Sequence, residues 1–395
     1  MRELPKIILV FAAVDWPIYM RRPMVHALAE AAKPYGSIVV AVNRPLCFAT
    51  TWFRKPNRIP ELFGPPRLEK LADNLYLYSP RYAIHDQFSN TVRALEKINL
   101  FALRKSYRHL QKRLGVTEPA PMIWFDYPQQ GYVARLFDDS FCVFEIYDNL
   151  TDPDGNESNT VNKLEKQLRG RIDLLLTTSK KIHEKYAGPY RRSFMFGNGL
   201  SRTTYQRLSD PNVEALPEIL DIPSPRLGYA GMISDRLDWR LVADLASAEP
   251  SWNFIFVGRM ADENIRRHMA GHPNVRFPGE YPQREVPSIL RSFDLGIMPY
   301  RDTPFFDFLN PLKFYEMAAA GLPMVASPVE ELRQFPDSLV RVVTNNDVDV
   351  WRDAIGNMLA ADPAVSAEVG PHIAAEFIWE DMTAALLKKI TEEGG

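Results

Sequence analysis

Short apolar runs and helical repeats alternate along almost the whole chain, a pattern that belongs to α/β architecture with parallel sheets. The apolar runs Lys6–Ala13, Ser37–Asn43, Met122–Asp126, Cys142–Asp148 and Asp173–Ser179 predict strands. Helical stretches near 21–33, 90–114, 128–138, 160–170 and 179–187 lie between them. A second, cleaner series predicts strands over Arg226–Ala230, Asn253–Gly258, Val275–Pro278, Leu295–Pro299, Pro323–Ser327 and Leu339–Val343, again with helices between. Residues 206–225 carry neither periodicity and are punctuated by Asp210-Pro211, Pro217 and Pro223-Ser224-Pro225. The pattern therefore predicts a domain over 1–205, a linker over 206–225, a second domain over 226–376 and a terminal helical segment over 377–395.

The segment Asn310–Ser327, NPLKFYEMAAAGLPMVAS, is the most chemically specific in the chain. Asn310 suits a helix cap and Pro311 the first helical position, which leaves the N–H groups of Leu312 and Lys313 pointing out at the positive helix end. Such an end binds anions. Lys313 and Glu316, three residues apart, share a face, so a cation for a diphosphate lies one turn from a carboxylate for sugar hydroxyls. Gly321 closes the helix, and Leu322–Ala326 reads as the next strand.

This segment resembles the donor-binding signature of the GT-B glycosyltransferases, in the retaining bacterial polysaccharide branch of the teichuronic-acid and exopolysaccharide type. The resemblance implies a GT-B fold, two Rossmann-like parallel-sheet domains facing each other across a cleft, with residues 1–205 binding the acceptor and 226–376 the nucleotide-sugar. It also implies that the helix in 377–395 packs back on the first domain. The implied reaction moves a hexosyl group from a nucleotide diphosphate-sugar, UDP-sugar ahead of GDP- or TDP-sugar, to a lipid-linked or polysaccharide acceptor, without a metal or other cofactor. On the donor side it implies roles for Gly231, Arg236, Gly258, Tyr281, Tyr300, Arg301, Asn310, Pro311, Leu312, Lys313 and Glu316. Lys313 and Arg236 fall to the diphosphate, Glu316 to the ribose and Tyr281 to the base face.

Two departures from that pattern stand out. Related enzymes place an arginine directly after the glycine of the first second-domain strand and a lysine six residues later; here those positions hold Met232 and Asp238. Arg236 and Arg301 are the substitutes. Related enzymes also carry a second glutamate eight residues before Glu316, where this chain has Phe308, with Asp307 beside it. In the first domain, Tyr147-Asp148-Asn149-Leu150-Thr151-Asp152 follows a strand, and Asp148 takes the place where these enzymes often have a histidine. The turn after the first strand lacks the usual paired glycines and reads Val14-Asp15-Trp16-Pro17, then Arg21-Arg22. Asp148, Asp15 and Lys313 are therefore the catalytic candidates, and Trp16, Arg21 and Arg22 the acceptor-side candidates.

Composition narrows the partners. At 395 residues the chain exceeds one comfortable core, and its longest apolar runs are too short to cross a bilayer. No basic leader with a small-residue cleavage site precedes the first strand, and Cys47 and Cys142 are the only cysteines, so a cytoplasmic, reduced protein is expected. Net charge of −2 conceals an asymmetry: residues 1–113 hold 19 Lys and Arg against 8 Asp and Glu, while residues 201–395 hold 18 against 29. Residues 44–70 mix five prolines and six Lys or Arg with Phe48, Trp52, Phe53 and Phe63, and residues 100–114 add Arg104, Lys105, Arg108, Lys112 and Arg113. Cations interleaved with aromatic rings suit an acidic membrane surface, and a peripheral location on the inner face of the cell membrane. The same mix suits single-stranded nucleic acid, which the sugar-active character of the remainder makes the lesser reading.

No P-loop, G-x-S-x-G or G-x-G-x-x-G occurs, and the seven histidines form no ligand pattern, so no metal site is expected. Two other functions remain open on the sequence: a nucleotide-sugar epimerase of the same fold, and a non-catalytic glycosyltransferase-like partner subunit.

Overall fold

A computed structural model describes residues 3–44, 46–47, 51–52, 59, 66–82, 93–118, 120–152 and 154–392. Most of the aromatic and basic stretch 44–70, Phe48, Phe53 and Phe63 included, lies outside the described residues. The chain divides into two compact units, one of residues 1–150, 157–196 and 379–395, the other of 151–156 and 197–378. The division falls at Phe196/Gly197, not in 206–225. That proline-rich stretch is part of the second unit, where the helices Arg202–Leu208 and Pro217–Leu220 bury Leu208 and Ile219 in the core. Pro217 opens its helix at the first position, where a missing N–H costs nothing.

The first unit is built on strands β1 (Ile7–Phe11), β2 (Ile38–Val42), β4 (Arg67–Ala72), β5 (Leu75–Ser79), β7 (Met122–Phe125), β8 (Phe141–Ile146), β9 (Leu174–Thr177) and β10 (Ser193–Met195). A two-residue pair, β3 (Leu46–Cys47) with β6 (Arg81–Tyr82), lies apart from this sheet. The main order is β10-β9-β8-β7-β1-β2-β5-β4, parallel except for the β4–β5 hairpin. Central strands such as β1, β7 and β8 are buried throughout, as parallel strands covered on both faces must be. The terminal helix Trp379–Glu392 belongs to this unit, packs against the helix Arg22–Ala32 and contributes Trp379, Leu386, Leu387 and Ile390 to the core.

That core also holds buried charge. Glu145, fully buried in β8, pairs with Arg21 and accepts a hydrogen bond from Trp124 Nε1 at 2.9 Å. The Arg21 guanidinium also lies 4.7 Å from the centre of the Trp379 ring. Burial brings Arg21 down to about 10 despite the raising influence of Tyr19 and Asp126. Arg21 is thus a structural counter-ion at 4% exposure, not an exposed acceptor ligand. Trp16 is likewise a core residue: its ring lies 5.9 Å from that of Tyr19, and its N–H donates to Asn43 Oδ1 at 2.9 Å. Arg22 opens the helix Arg22–Ala32, half-buried, with Nε donating to the Tyr19 carbonyl at 3.1 Å.

The second unit holds β11 (Arg226–Ala230), β12 (Asn253–Val257), β13 (Val275–Gly279), β14 (Leu295–Met298), β15 (Met324–Ala326) and β16 (Val340–Val342). All pair in parallel in the order β13-β12-β11-β14-β15-β16. The order reverses between β11 and β14, and the crevice beyond the carboxyl ends of two such strands is where doubly wound sheets take ligands. Gly258, at the end of β12, has φ of 141° and a backbone so close to Gly231 that a Cβ would lie 1.9 Å from the Gly231 carbonyl oxygen.

Two outcomes follow from this packing. Gly258→Ala should destabilise the second unit by ~3 kcal/mol in a denaturant titration, from positive φ and the clash together, whereas Gly271→Ala, with open space around its Cβ, should be near neutral. Arg21→Ala should cost about 3–5 kcal/mol by leaving Glu145 charged and alone in the core. Adding Glu145→Gln to that variant should recover much of the loss in the same titration.

Candidate active site

At the switch point of the second unit the helix Leu312–Ala319 follows β14, and the end of β11 supplies Gly231. Lys313 Nζ donates to Glu316 Oε2 at 2.7 Å, the ion pair that one-turn spacing allows. Burial lowers the Lys313 amine, and the Glu316 carboxylate outweighs it, so the amine stays above its ordinary value and charged. A Cβ on Gly231 would lie 2.9 Å from the Tyr229 hydroxyl and 3.1 Å from Lys313 Cε, so the missing side chain is what admits both. The buried Tyr229 and Tyr300 hydroxyls bond to each other beside this pair, and burial raises both phenols. Arg236 is exposed, lies 5.8 Å from the Phe305 ring and makes no ion pair among the described residues.

The cap is not as the sequence suggests. Pro311 occupies the N-cap position with no side-chain cap bond, and the helix starts at Leu312. Asn310 therefore stands one residue before the cap, and it is buried; its carbonyl accepts from Asn198 Nδ2 and its side chain bonds to Tyr315. Phe314 N–H bonds to the Pro311 carbonyl at 3.1 Å, and the amides of Leu312 and Lys313 precede the first turn bond. Gly321, at φ of 67°, ends the helix, with its N–H on the Ala318 carbonyl at 2.8 Å.

The ends of three neighbouring strands form a row. Gly231 N–H donates to the Val257 carbonyl and Gly258 N–H to the Gly279 carbonyl, both at 2.8 Å. Tyr281 follows β13, two strands from the switch point, with its hydroxyl donating to Glu218 at 3.0 Å and its half-buried ring against the core. Arg301 pairs with Asp154, and its N–H donates to the Arg236 carbonyl at 3.0 Å. Asp238, where related enzymes have a lysine, caps the helix Trp239–Ala248 through a 3.1 Å bond from Leu241 N–H. Its other oxygen accepts from Asn346, which also donates to the Tyr300 carbonyl at 2.7 Å. Asp307 lies in the short turn Phe306–Phe308, half-buried.

The first unit has its own switch point, between β1 and β7, and there sequence reasoning missed a residue. Asp126, directly after β7, is 2% exposed and accepts a 2.6 Å hydrogen bond from the Tyr19 hydroxyl; its Oδ1 accepts none. Burial raises its carboxyl to about 6, against the lowering influence of Tyr19 and Arg21. Asp148, half-buried two residues beyond β8, belongs to the same electrostatic neighbourhood, since both acids act on Arg21 and on Tyr147. Asp15 begins the turn Trp16–Ile18, accepting the Ile18 N–H on its carbonyl at 3.0 Å. The signal that was available for Asp126 was its place as the polar residue ending an apolar strand run.

Residues 224–361 match the family Glycosyl transferases group 1. TuaH of Bacillus subtilis (strain 168), described as a teichuronic acid biosynthesis glycosyltransferase, is 25% identical over 243 residues, covering 56% of this chain and 60% of that protein. Several solved structures superpose over 98% of this chain. Sucrose-phosphate synthase of Thermosynechococcus elongatus does so with a TM-score of 0.70 at 16% identity and 99% of its own length. Alr3699/HepE of Anabaena, solved in complex with UDP, does so with a TM-score of 0.66 at 12% identity and 100% of its length. The chain thus has the GT-B glycosyltransferase fold, two Rossmann-like parallel-sheet units, the second of which carries the match to Glycosyl transferases group 1.

Proposed function

We propose that this chain transfers a sugar, a hexosyl group, from a nucleotide diphosphate-sugar to a lipid-linked or polysaccharide acceptor, with retention of anomeric configuration and without a metal. The observation that carries the reading is the Lys313–Glu316 pair held over Gly231 at the switch point of the second sheet. A diphosphate takes the Lys313 ammonium and the two leading helix amides, with Arg236 as a further cation. The freed Glu316 carboxylate accepts hydrogen bonds from the two ribose hydroxyls. Charge that develops on the departing diphosphate is then met by cations and amides already in place.

The row of strand ends gives the nucleotide its direction. From β11 to β13 is two inter-strand spacings, about 10 Å. Gly231 and Gly258 leave the backbone bare along that edge, and the distance suits a nucleoside laid from the Lys313 pair toward the Tyr281 loop. UDP-sugar is proposed ahead of GDP- or TDP-sugar. HepE and a trehalose-6-phosphate synthase structure are described with UDP and with UDP-2-fluoro glucose, which supports a UDP-sugar as the first donor to try.

On the first unit we assign Asp126, with Asp148 beside it, to the acceptor hydroxyl; Asp15 is the lesser candidate. A buried carboxylate with one unused oxygen accepts a hydrogen bond readily and takes a proton near neutrality.

Glu316→Ala and Lys313→Ala should each weaken UDP binding at least about tenfold in calorimetry, one lost charge-assisted contact apiece. Unchanged affinity in both would remove the donor assignment, and no binding of any nucleotide by the parent would favour a non-catalytic partner subunit. Product anomers read by NMR test retention, and turnover with chelator present tests metal independence.

Asp126→Asn should move stability and turnover in opposite directions. The carboxyl is raised in the folded state, so its stabilising contribution is complete below the unfolded value near 3.8 and is lost as pH rises through about 6. At pH 8 the variant should therefore be more stable than the parent by up to about 3 kcal/mol, with the gain gone near pH 4. Turnover should fall by about 100-fold or more. Loss of stability at pH 8, or full turnover, would place Asp126 outside the reaction.

A further inference from the structure

The helix Arg93–Leu114 has one face in the core and another that no described residue covers. Its inner side buries Asn99, Leu100, Leu103, Tyr107 and Leu110. Two of its charges are used internally: Glu96 is buried and paired with Arg135 at 2.9 Å, and Arg104 donates to the carbonyls of Leu136 and Arg135 at 2.6 and 3.0 Å. Arg104 therefore drops out of the basic surface that the sequence suggests. What remains outside is Lys97, Lys105, Arg108, Lys112 and Arg113, all exposed and none in an ion pair among the described residues. Residues 97–114 contain no Asp or Glu.

Among these cations stand two apolar side chains, Ile98 at 46% exposure and Phe101 at 66%. Lys97, Phe101, Lys105, Arg108 and Lys112 follow at steps of three and four, so they form one stripe with Phe101 a turn from a lysine on either side. The helix is about 33 Å long at 1.5 Å per residue. No helix among the described residues is long and apolar enough to cross a membrane, so this one would lie along a surface.

We propose that this face docks on an anionic lipid bilayer. Apolar side chains that enter the boundary between headgroups and acyl chains, flanked by lysines and arginines at the phosphate level, are what an interfacial helix needs. Phosphates alone would account for the cations. They leave the exposed Ile98 and Phe101 without a role, and Ile98 offers nothing to a nucleic acid base. The surface goes beyond the donor reading and does not depend on it: it would bring the first unit to the membrane whatever the second unit binds.

The test is cosedimentation of the full chain with vesicles of phosphatidylglycerol and phosphatidylcholine, set against phosphatidylcholine alone. Binding should appear on the anionic vesicles only and should be lost at about 0.5 M salt. Lys105→Glu with Arg108→Glu should lower the bound-to-free ratio about tenfold or more. Phe101→Ser should lower it while leaving the salt dependence in place. These side chains are exposed, so both variants should keep the parent's circular dichroism and UDP titration. Equal binding to neutral vesicles, unchanged binding by the double variant, or preference for a single-stranded oligonucleotide over anionic vesicles would each overturn the proposal. A chain that binds vesicles but not UDP defeats the donor reading alone; one that binds UDP but not vesicles defeats this surface alone.

Discussion

Two opposite charges held 2.7 Å apart above a missing side chain set the character of the second unit. Lys313 and Glu316 are each mostly removed from water, and each compensates the other's desolvation. A ligand that displaces one of them leaves the second unpaired, at a cost of about 3–5 kcal/mol for a buried pair broken on one side. An occupant therefore gains most by offering an anion to the lysine and hydroxyls to the glutamate together. A bare diphosphate has only the first and a nucleoside only the second. The geometry of the pair thus favours a molecule with both.

The environment of the pair is built to hold it there. Gly231 must lack a Cβ because the Tyr229 hydroxyl and the Lys313 stem fill that volume, and Gly258 must lack one because the Gly231 carbonyl does. Behind them Asn346 ties the Tyr300 carbonyl to Asp238, while Asp238 caps the next helix. This explains the departure at position 238 in physical terms. A carboxylate there repels phosphate, but its two oxygens are committed to a helix start and an asparagine amide, so its charge is spent on fixing the strand ends. On the proposed donor reading the cationic work falls to Lys313 and Arg236, with Arg301 engaged by Asp154.

Much of the architecture was legible because parallel strands buried on both faces leave near-continuous apolar runs, and all six strands of the second unit match runs in the sequence. The hairpin β4–β5 was not, since its edge strand RLEKLA has an irregular, largely exposed pattern with no alternation to detect. The division between the units was misplaced for a local reason: prolines at helix starts and in a linker look alike until the burial of Leu208 and Ile219 is known. In the site, Lys313 and Glu316 were legible because their pairing depends only on helical spacing. Trp16 and Arg21 were not, because their partners, Asn43 and Glu145, are 27 and 124 residues away. Asn310 was misjudged by one position: the helix starts at Leu312, so Pro311 stands at the cap and Asn310 before it.

Two of the buried acids of the first unit, Glu145 and Asp126, are treated differently, and the difference separates structure from chemistry. Glu145 has Arg21 on one oxygen and the Trp124 indole on the other, so its charge is satisfied within the core and nothing is left to offer a ligand. Asp126 has one bond, from Tyr19, and an oxygen with none, and burial holds its carboxyl at about 6. An apolar or amide side chain in that place would avoid the cost of burying a charge. A residue that weakens the fold, at the carboxyl ends of strands where doubly wound sheets take their ligands, is what the proposed role at the acceptor hydroxyl would account for. Glu145 would be retained for packing alone; Asp126 has no such account.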